Sequence, residues 1–209
     1  MTVSPEAMFD CLSICRGIES IAGGAGESEI ANFGYLGCLL SVYRGIPPSE
    51  WGYSFAATKA AAPYSDDLRD AIEGLRLSGL LDEGPNGFSL TARGEAQLAG
   101  LSKLRRFSQR RVYLDAACHS ATAIPLPLVT SSLSAEPQLR QALKLSSLRP
   151  LLDEAGRHAV LAHFAALSDA VPNAEDLFVP AVVWLSYLAR QVETDEAEVA
   201  ESTGDVGIG

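Results

Sequence analysis

The chain is short of positive charge: 16 Lys and Arg stand against 26 Asp and Glu, for a formal net charge of −10. A protein this acidic does not as a whole attract a phosphate backbone. That weighs against a stand-alone nucleic-acid binder while leaving room for a local basic patch. There is no CxxC pair. The four cysteines, Cys11, Cys15, Cys38 and Cys118, are not completed by histidines at zinc-ligand spacing, so free buried thiols in a reducing compartment are expected. Histidine is scarce, with His119, His158 and His163 only. His158 and His163 are five apart, on different sides of a helix, and cannot share a metal as an i, i+4 pair would. Cys118 and His119 are sequence neighbours whose side chains diverge on a helix, and no G-x-S-x-G occurs, so neither nucleophilic arrangement is formed. The carboxylates do not gather on apolar stretches, where a raised pKa would mark a general acid. An enzyme is therefore not expected, nor a metal, a cofactor or a small-molecule substrate.

Long hydrophobic runs are missing too. The longest apolar stretch, 177–189, falls short of the ~20 residues that span a bilayer. The opening MTVSPEAMFD has no basic stretch leading into an apolar one, so no secretory signal is expected. The expectation is a cytoplasmic protein without membrane contact.

What is present is helical periodicity. Apolar residues make up 47% of the chain, enough for a sizeable core. Residues 4–21 start with Ser4 as a cap, Pro5 at the first helical position and Glu6 in the first turn. The helix should stop at Gly23-Gly24. The GGAGES that follows lacks the Lys-Ser/Thr pair of a phosphate loop and reads as a linker. Ile30, Phe33, Leu36, Leu40 and Tyr43 mark a second helix over 27–43. A short helix is expected from Ser49 to about Ala57, and Trp51, Trp184, Tyr43 and Tyr187 are expected in the core. Ser65 caps a helix over 65–79, with Leu68, Ala71, Ile72 and Leu75 on its inner face and Gly79 at its end. Leu80-Leu81-Asp82 and Phe88-Ser89-Leu90 read as two short strands around a Gly84-Pro85-Asn86-Gly87 turn, with Asn-Gly as the hairpin signal. Thr91 caps the next helix, and a basic helix follows to about Ser120. The segment 123–128, with Pro125 and Pro127, should be extended or turning. Short helices are expected over 129–149, then helices over 150–171 and 174–192, separated at Pro172-Asn173. Residues 193–209 hold Glu193, Asp195, Glu196, Glu198, Glu201 and Asp205 with no basic residue, and read as a mobile tail.

The order helix, helix, helix, strand, turn, strand, helix predicts a mainly α protein built on a winged helix-turn-helix with a small β-hairpin wing plus additional helices. The expected organisation is an N-terminal helix and linker over 1–26, the winged-helix module over 27–104, a helical region over 105–192 and an acidic disordered tail over 193–209. The string APYSDDLRDAIEGLRLSGLLDEGPNGFSLTARGEAQL resembles a pattern in a loose group of bacterial and archaeal winged-helix proteins. In that group a GPYS turn opens a helix ending in GL(I/L), and a short wing precedes (Y/F)SLTxxGE. Ala62 here replaces the usual Gly before Pro63-Tyr64-Ser65. Phage-associated and antitoxin-like proteins belong to this group, as do the middle components of three-part bacterial defence systems that accompany an SMC-like ATPase and an effector such as a nuclease. The resemblance implies a subunit of a protein assembly, or alternatively a DNA-binding regulator or antitoxin.

Charge discriminates between these implications. A helix that enters the major groove usually exposes basic or amide side chains. The corresponding helix here carries Asp66, Asp67, Arg69, Asp70, Glu73 and Arg76, and the hairpin carries Asp82 and Glu83 where a minor-groove wing normally has Arg or Lys. Residues Asp66, Asp67, Arg69, Asp70, Glu73 and Arg76 are therefore expected to face protein. The counterweight is Lys103, Arg105, Arg106, Arg110 and Arg111, a basic run expected either to pair with the acidic body or to contact an acidic partner or DNA. The expected function is a non-catalytic accessory subunit of a complex, with other protein subunits as partners.

Overall fold

The computed structural model describes residues 3–145, 148–172 and 176–204. These residues are mainly helical, with two small antiparallel sheets. Helix α1 (Pro5–Ala22) starts as the sequence requires: the Ser4 hydroxyl accepts the Ala7 N–H and Pro5 opens the first turn. Helix α2 (Glu27–Tyr43) is buried over most of its surface. A 3-10 turn (Pro48–Trp51), strand β1 (Ala56–Ala57) and strand β2 (Pro63–Tyr64) lead to α3 (Asp66–Leu77). Strands β3 (Leu81–Gly84) and β4 (Gly87–Leu90) form the hairpin, followed by α4 (Ala92–Leu101) and α5 (Arg105–Ala123). The rest comprises α6 (Leu126–Ser134), α7 (Pro137–Leu145), β5 (Arg149–Pro150), α8 (Glu154–Ala170) and α9 (Phe178–Gly204).

One hydrophobic core runs through all of this. Helix α1 packs on α3, β4, α4 and α5, and α5 also lies against α2. Phe9 of α1 stacks on Phe107 of α5 with ring centroids 4.6 Å apart. Residues on either side of the expected boundaries at 26 and 104 thus share the same packing. Helix α9 packs on α5 and α6, its Trp184, Leu185 and Leu188 are buried, and Trp184 meets Phe164 of α8 with ring centroids 5.3 Å apart. Among the described residues no helix is long and apolar enough to cross a membrane.

The glycine-rich linker is a working part of the hairpin. Ala25 bridges Phe88 through two backbone hydrogen bonds, of 3.0 and 2.9 Å, and so adds a third partner to a hairpin too small to stand alone. Thr91 secures the other side: its hydroxyl accepts the Gly94 N–H at 3.1 Å and donates to the Gly79 carbonyl at 2.8 Å. One side chain thereby caps α4 and ties it to the end of α3. Gly94 has its own reason. A Cβ there would collide with the Leu80 carbonyl oxygen, so the first turn of α4 can press on the strand only without a side chain.

Several expectations are corrected. The helix expected from Ser49 to Ala57 is a 3-10 turn followed by strand β1, which pairs with β2 and with β5. Pro47-Pro48 and Gly52 (φ 90) confine the helical part to one turn. The hairpin's central residues are Pro85 and Asn86 and not Asn-Gly; Pro fixes φ near −65°, so the positive φ falls on Gly87 (φ 100). Ser65 stands at the N-cap of α3 without a capping hydrogen bond, its hydroxyl buried and unpartnered; nothing in the structure explains it. Of segment 123–128 only Ile124 and Pro125 are extended, as the link between α5 and α6; Leu126, Pro127 and Leu128 already belong to α6, since proline is tolerated in the first turn, where N–H groups lack helical partners anyway. The expected mobile tail is helical through Gly204, continuing α9 over a stretch whose Glu and Ala residues favour helix. Residues 205–209 of that tail, and the expected break at Asn173, lie outside the described residues. Tyr187 is half exposed and not core, whereas Trp51 and Trp184 are buried.

Candidate interaction surface

Helix α3 is amphipathic, and its geometry follows from its sequence. Leu68, Ala71, Ile72 and Leu75 face the core. Asp66, Arg69, Glu73 and Arg76 are exposed, and Asp67 and Asp70 are half-buried. Three of these charges pair among themselves. Arg69 reaches Asp66 at 2.9 Å and Asp70 at 3.2 Å, and donates to the Tyr64 hydroxyl at 2.5 Å. That partly neutralises one of the two cations on this helix. The exposed hairpin residues Asp82 and Glu83 extend the same negative surface. At its edge Leu77 is 74% exposed.

The basic run is not one surface. Lys103 and Arg105 are exposed, and neither has an ion-pair partner among the described residues. Arg106 pairs with Glu6 of α1. Arg111 pairs with Asp115 one turn along, at 3.1 Å. Arg110 is not at the surface: of the two expected roles it takes the pairing with the acidic body, in the interior. It is 7% exposed and faces inward, where Asp10 is fully buried. Its Nε and Nη2 donate to the two Asp10 carboxylate oxygens at 2.5 and 2.6 Å, and its Nη1 donates to the Trp51 carbonyl at 2.6 Å. The guanidinium lies 3.6 Å over the Trp51 ring, and the Tyr53 hydroxyl donates to Asp10 at 2.6 Å. Burial pushes the Asp10 carboxyl up from its ordinary value, opposed by the Arg110 charge and hydrogen bonds. The bidentate geometry is that of an ionised pair. Arg110 is thus unavailable to a partner, because leaving would strand a buried carboxylate. Sequence reading missed this cluster. Its one signal was Asp10 sitting among apolar neighbours on α1.

A second buried carboxylate, Glu136, caps α7. Its Oε2 accepts the Gln138 and Leu139 N–H groups at 3.1 and 3.0 Å. Burial pushes its pKa up, against the lowering effect of those hydrogen bonds. Among the described residues no group of three His, Cys, Asp or Glu side chains could hold a metal ion. All four cysteines are buried and unpaired. His158 bonds its own helix through the Glu154 carbonyl at 2.9 Å, while His163 packs against Tyr187.

No family model, curated protein or solved structure matches the chain.

Proposed function

We propose that this chain is a winged-helix accessory subunit that binds other proteins through the outward face of α3 and the β3–β4 hairpin. The order of α1, the bridging residue Ala25, α2, α3, the hairpin and α4 supports the winged-helix reading, with the 44–65 segment as an insertion before α3. The observation that carries the functional reading is the charge of the surface such a module lays against DNA. It presents Asp66, Asp70, Glu73, Asp82 and Glu83, and its Arg69 is held by two carboxylates. Each of these acids would repel a phosphate. The resemblance to middle components of bacterial defence systems adds the kind of assembly: an SMC-like ATPase and a nuclease effector as partners, with no catalysis by this chain.

Fluorescence anisotropy with a labelled duplex at about 50 mM salt, where phosphate contacts are strongest, is the first arm of the test. No binding by the isolated chain is expected. The second arm is co-expression with the proteins encoded beside it: a complex should survive gel filtration and be lost in Asp70→Lys/Glu73→Lys. Tight, steeply salt-dependent duplex binding by a dimer, lost in Lys103→Glu/Arg105→Glu, would establish the alternative, a winged-helix regulator or antitoxin. Exposed, unpaired Lys103 and Arg105 are the observation favouring that alternative.

A further inference from the structure

The insertion between α2 and α3 encloses a cleft of about 550 Å³, lined among others by Ser49, Ser54, Phe55, Asp67, Leu151 and Leu152. Its size lies within the range of small-molecule sites, and its walls combine apolar surface with a few polar groups, as such sites do. Two independent features converge on it. Asp67 is the sole charged residue lining it, and its carboxylate has no hydrogen bond or ion pair among the described residues. Arg69 two residues on engages Asp66 and Asp70 instead.

The second feature is the backbone at Leu152, which also lines the cleft. Leu152 adopts φ 60, a left-handed conformation that a leucine reaches only against steric resistance. It is held there by buried polar groups. Its N–H donates to Gln138 Oε1 at 2.6 Å, and Gln138 Nε2 donates to Glu136 Oε1 at 3.3 Å and to the Tyr35 hydroxyl at 3.4 Å. The Leu151 N–H donates to the Phe55 carbonyl at 2.9 Å and fastens the segment to the cleft floor. Strained residues held in place by their surroundings cluster at functional sites.

We propose that this cleft binds a small ligand carrying one cationic nitrogen on an apolar body, with Asp67 receiving the charge and Phe55, Leu151 and Leu152 covering the body. The Ser49 and Ser54 hydroxyls supply neutral polar contacts at the rim. The proposal is independent of the protein-binding role of α3, whose exposed face is a different part of the helix.

The test titrates 2-phenylethylamine and its uncharged counterpart 2-phenylethanol into the full chain, followed by amide NMR shifts. The amine should bind about fivefold or more tightly than the alcohol, as a charge-assisted hydrogen bond requires. Shifts should map to residues 52–55, 67 and 151–152. Asp67→Asn should reduce the amine to the alcohol's affinity, while Asp70→Asn, on the same helix outside the cleft, should change nothing. Leu152→Gly, which relieves the backbone, should leave the melting temperature unchanged or higher and weaken both compounds. Equal affinities, no binding at millimolar amine, wild-type shifts mapping elsewhere, or an Asp67→Asn variant that binds as wild type would each overturn the proposal.

Discussion

Arg110 closes on Asp10 across 100 residues of sequence, with both carboxylate oxygens engaged and Trp51 stacked beneath the guanidinium. The pair joins α1, α5 and the 3-10 turn at one point. Removing one partner leaves a buried charge uncompensated, which costs about 3–5 kcal/mol, whereas replacing both with apolar groups is far milder. Arg110→Met should therefore destabilise the chain by that amount in urea melts, and Asp10→Leu/Arg110→Met should recover most of it. A double variant as unstable as the single one would show that the hydrogen bonds to Trp51 and Tyr53, and not the ion pair, hold these elements together.

Helix α4 carries two glycines that should answer the same substitution with opposite signs. At Gly94 a Cβ would strike the Leu80 carbonyl, whereas at Gly100 it meets nothing within 4 Å. Gly94→Ala should cost about 1–3 kcal/mol through overpacking. Gly100→Ala should stabilise by about 0.5–1 kcal/mol through helix propensity. Thermal melts of the two variants decide the matter, and equal shifts would refute the close packing of α4 on the hairpin.

Thr91 serves both as helix cap and as tie to the Gly79 carbonyl. Thr91→Val keeps the shape and removes both hydrogen bonds, so a loss of about 1–2 kcal/mol is expected. Hydrogen exchange should localise it, with faster exchange of the hairpin amides and those of the first turn of α4. Uniform acceleration across the core would argue against a local tie.

Glu136 gives a pH dependence whose sign is fixed by burial. Its folded pKa is raised, so the folded state binds the proton more tightly than the unfolded chain, where glutamate titrates near 4.3. The stabilisation is complete below about that pH and is lost as pH rises through the higher folded value. Wild type measured against Glu136→Gln should therefore lose stability on going from about pH 4 to neutrality. A difference that does not change with pH, or that changes in the opposite sense, would mean that the hydrogen bonds from Gln138, Leu139 and Tyr35 outweigh desolvation.

Local rules read from the sequence hold where one short segment decides the outcome. Ser4, Pro5 and Glu6 open α1, and Thr91 caps α4, because capping needs only neighbours. The amphipathic face of α3 follows from its own periodicity. The rules fail where a distant partner intervenes. Residues 56–57 form a strand since 63–64 and 149–150 come to pair with them. Leu152 is left-handed because Gln138 waits for its N–H. Arg110 belongs to a basic run in sequence, yet its helix turns it inward while Lys103 and Arg105 stay in solvent.

Composition and spacing alone determined that this chain would be helical, acidic, and negative on the helix and hairpin at its centre, because periodicity and formal charge are properties of the segment itself. Tertiary structure alone decided which charges are buried, which loop encloses a cleft and which linker residue completes the hairpin. Those outcomes depend on pairings between elements up to 100 residues apart, where desolvation and packing override what any local stretch prefers.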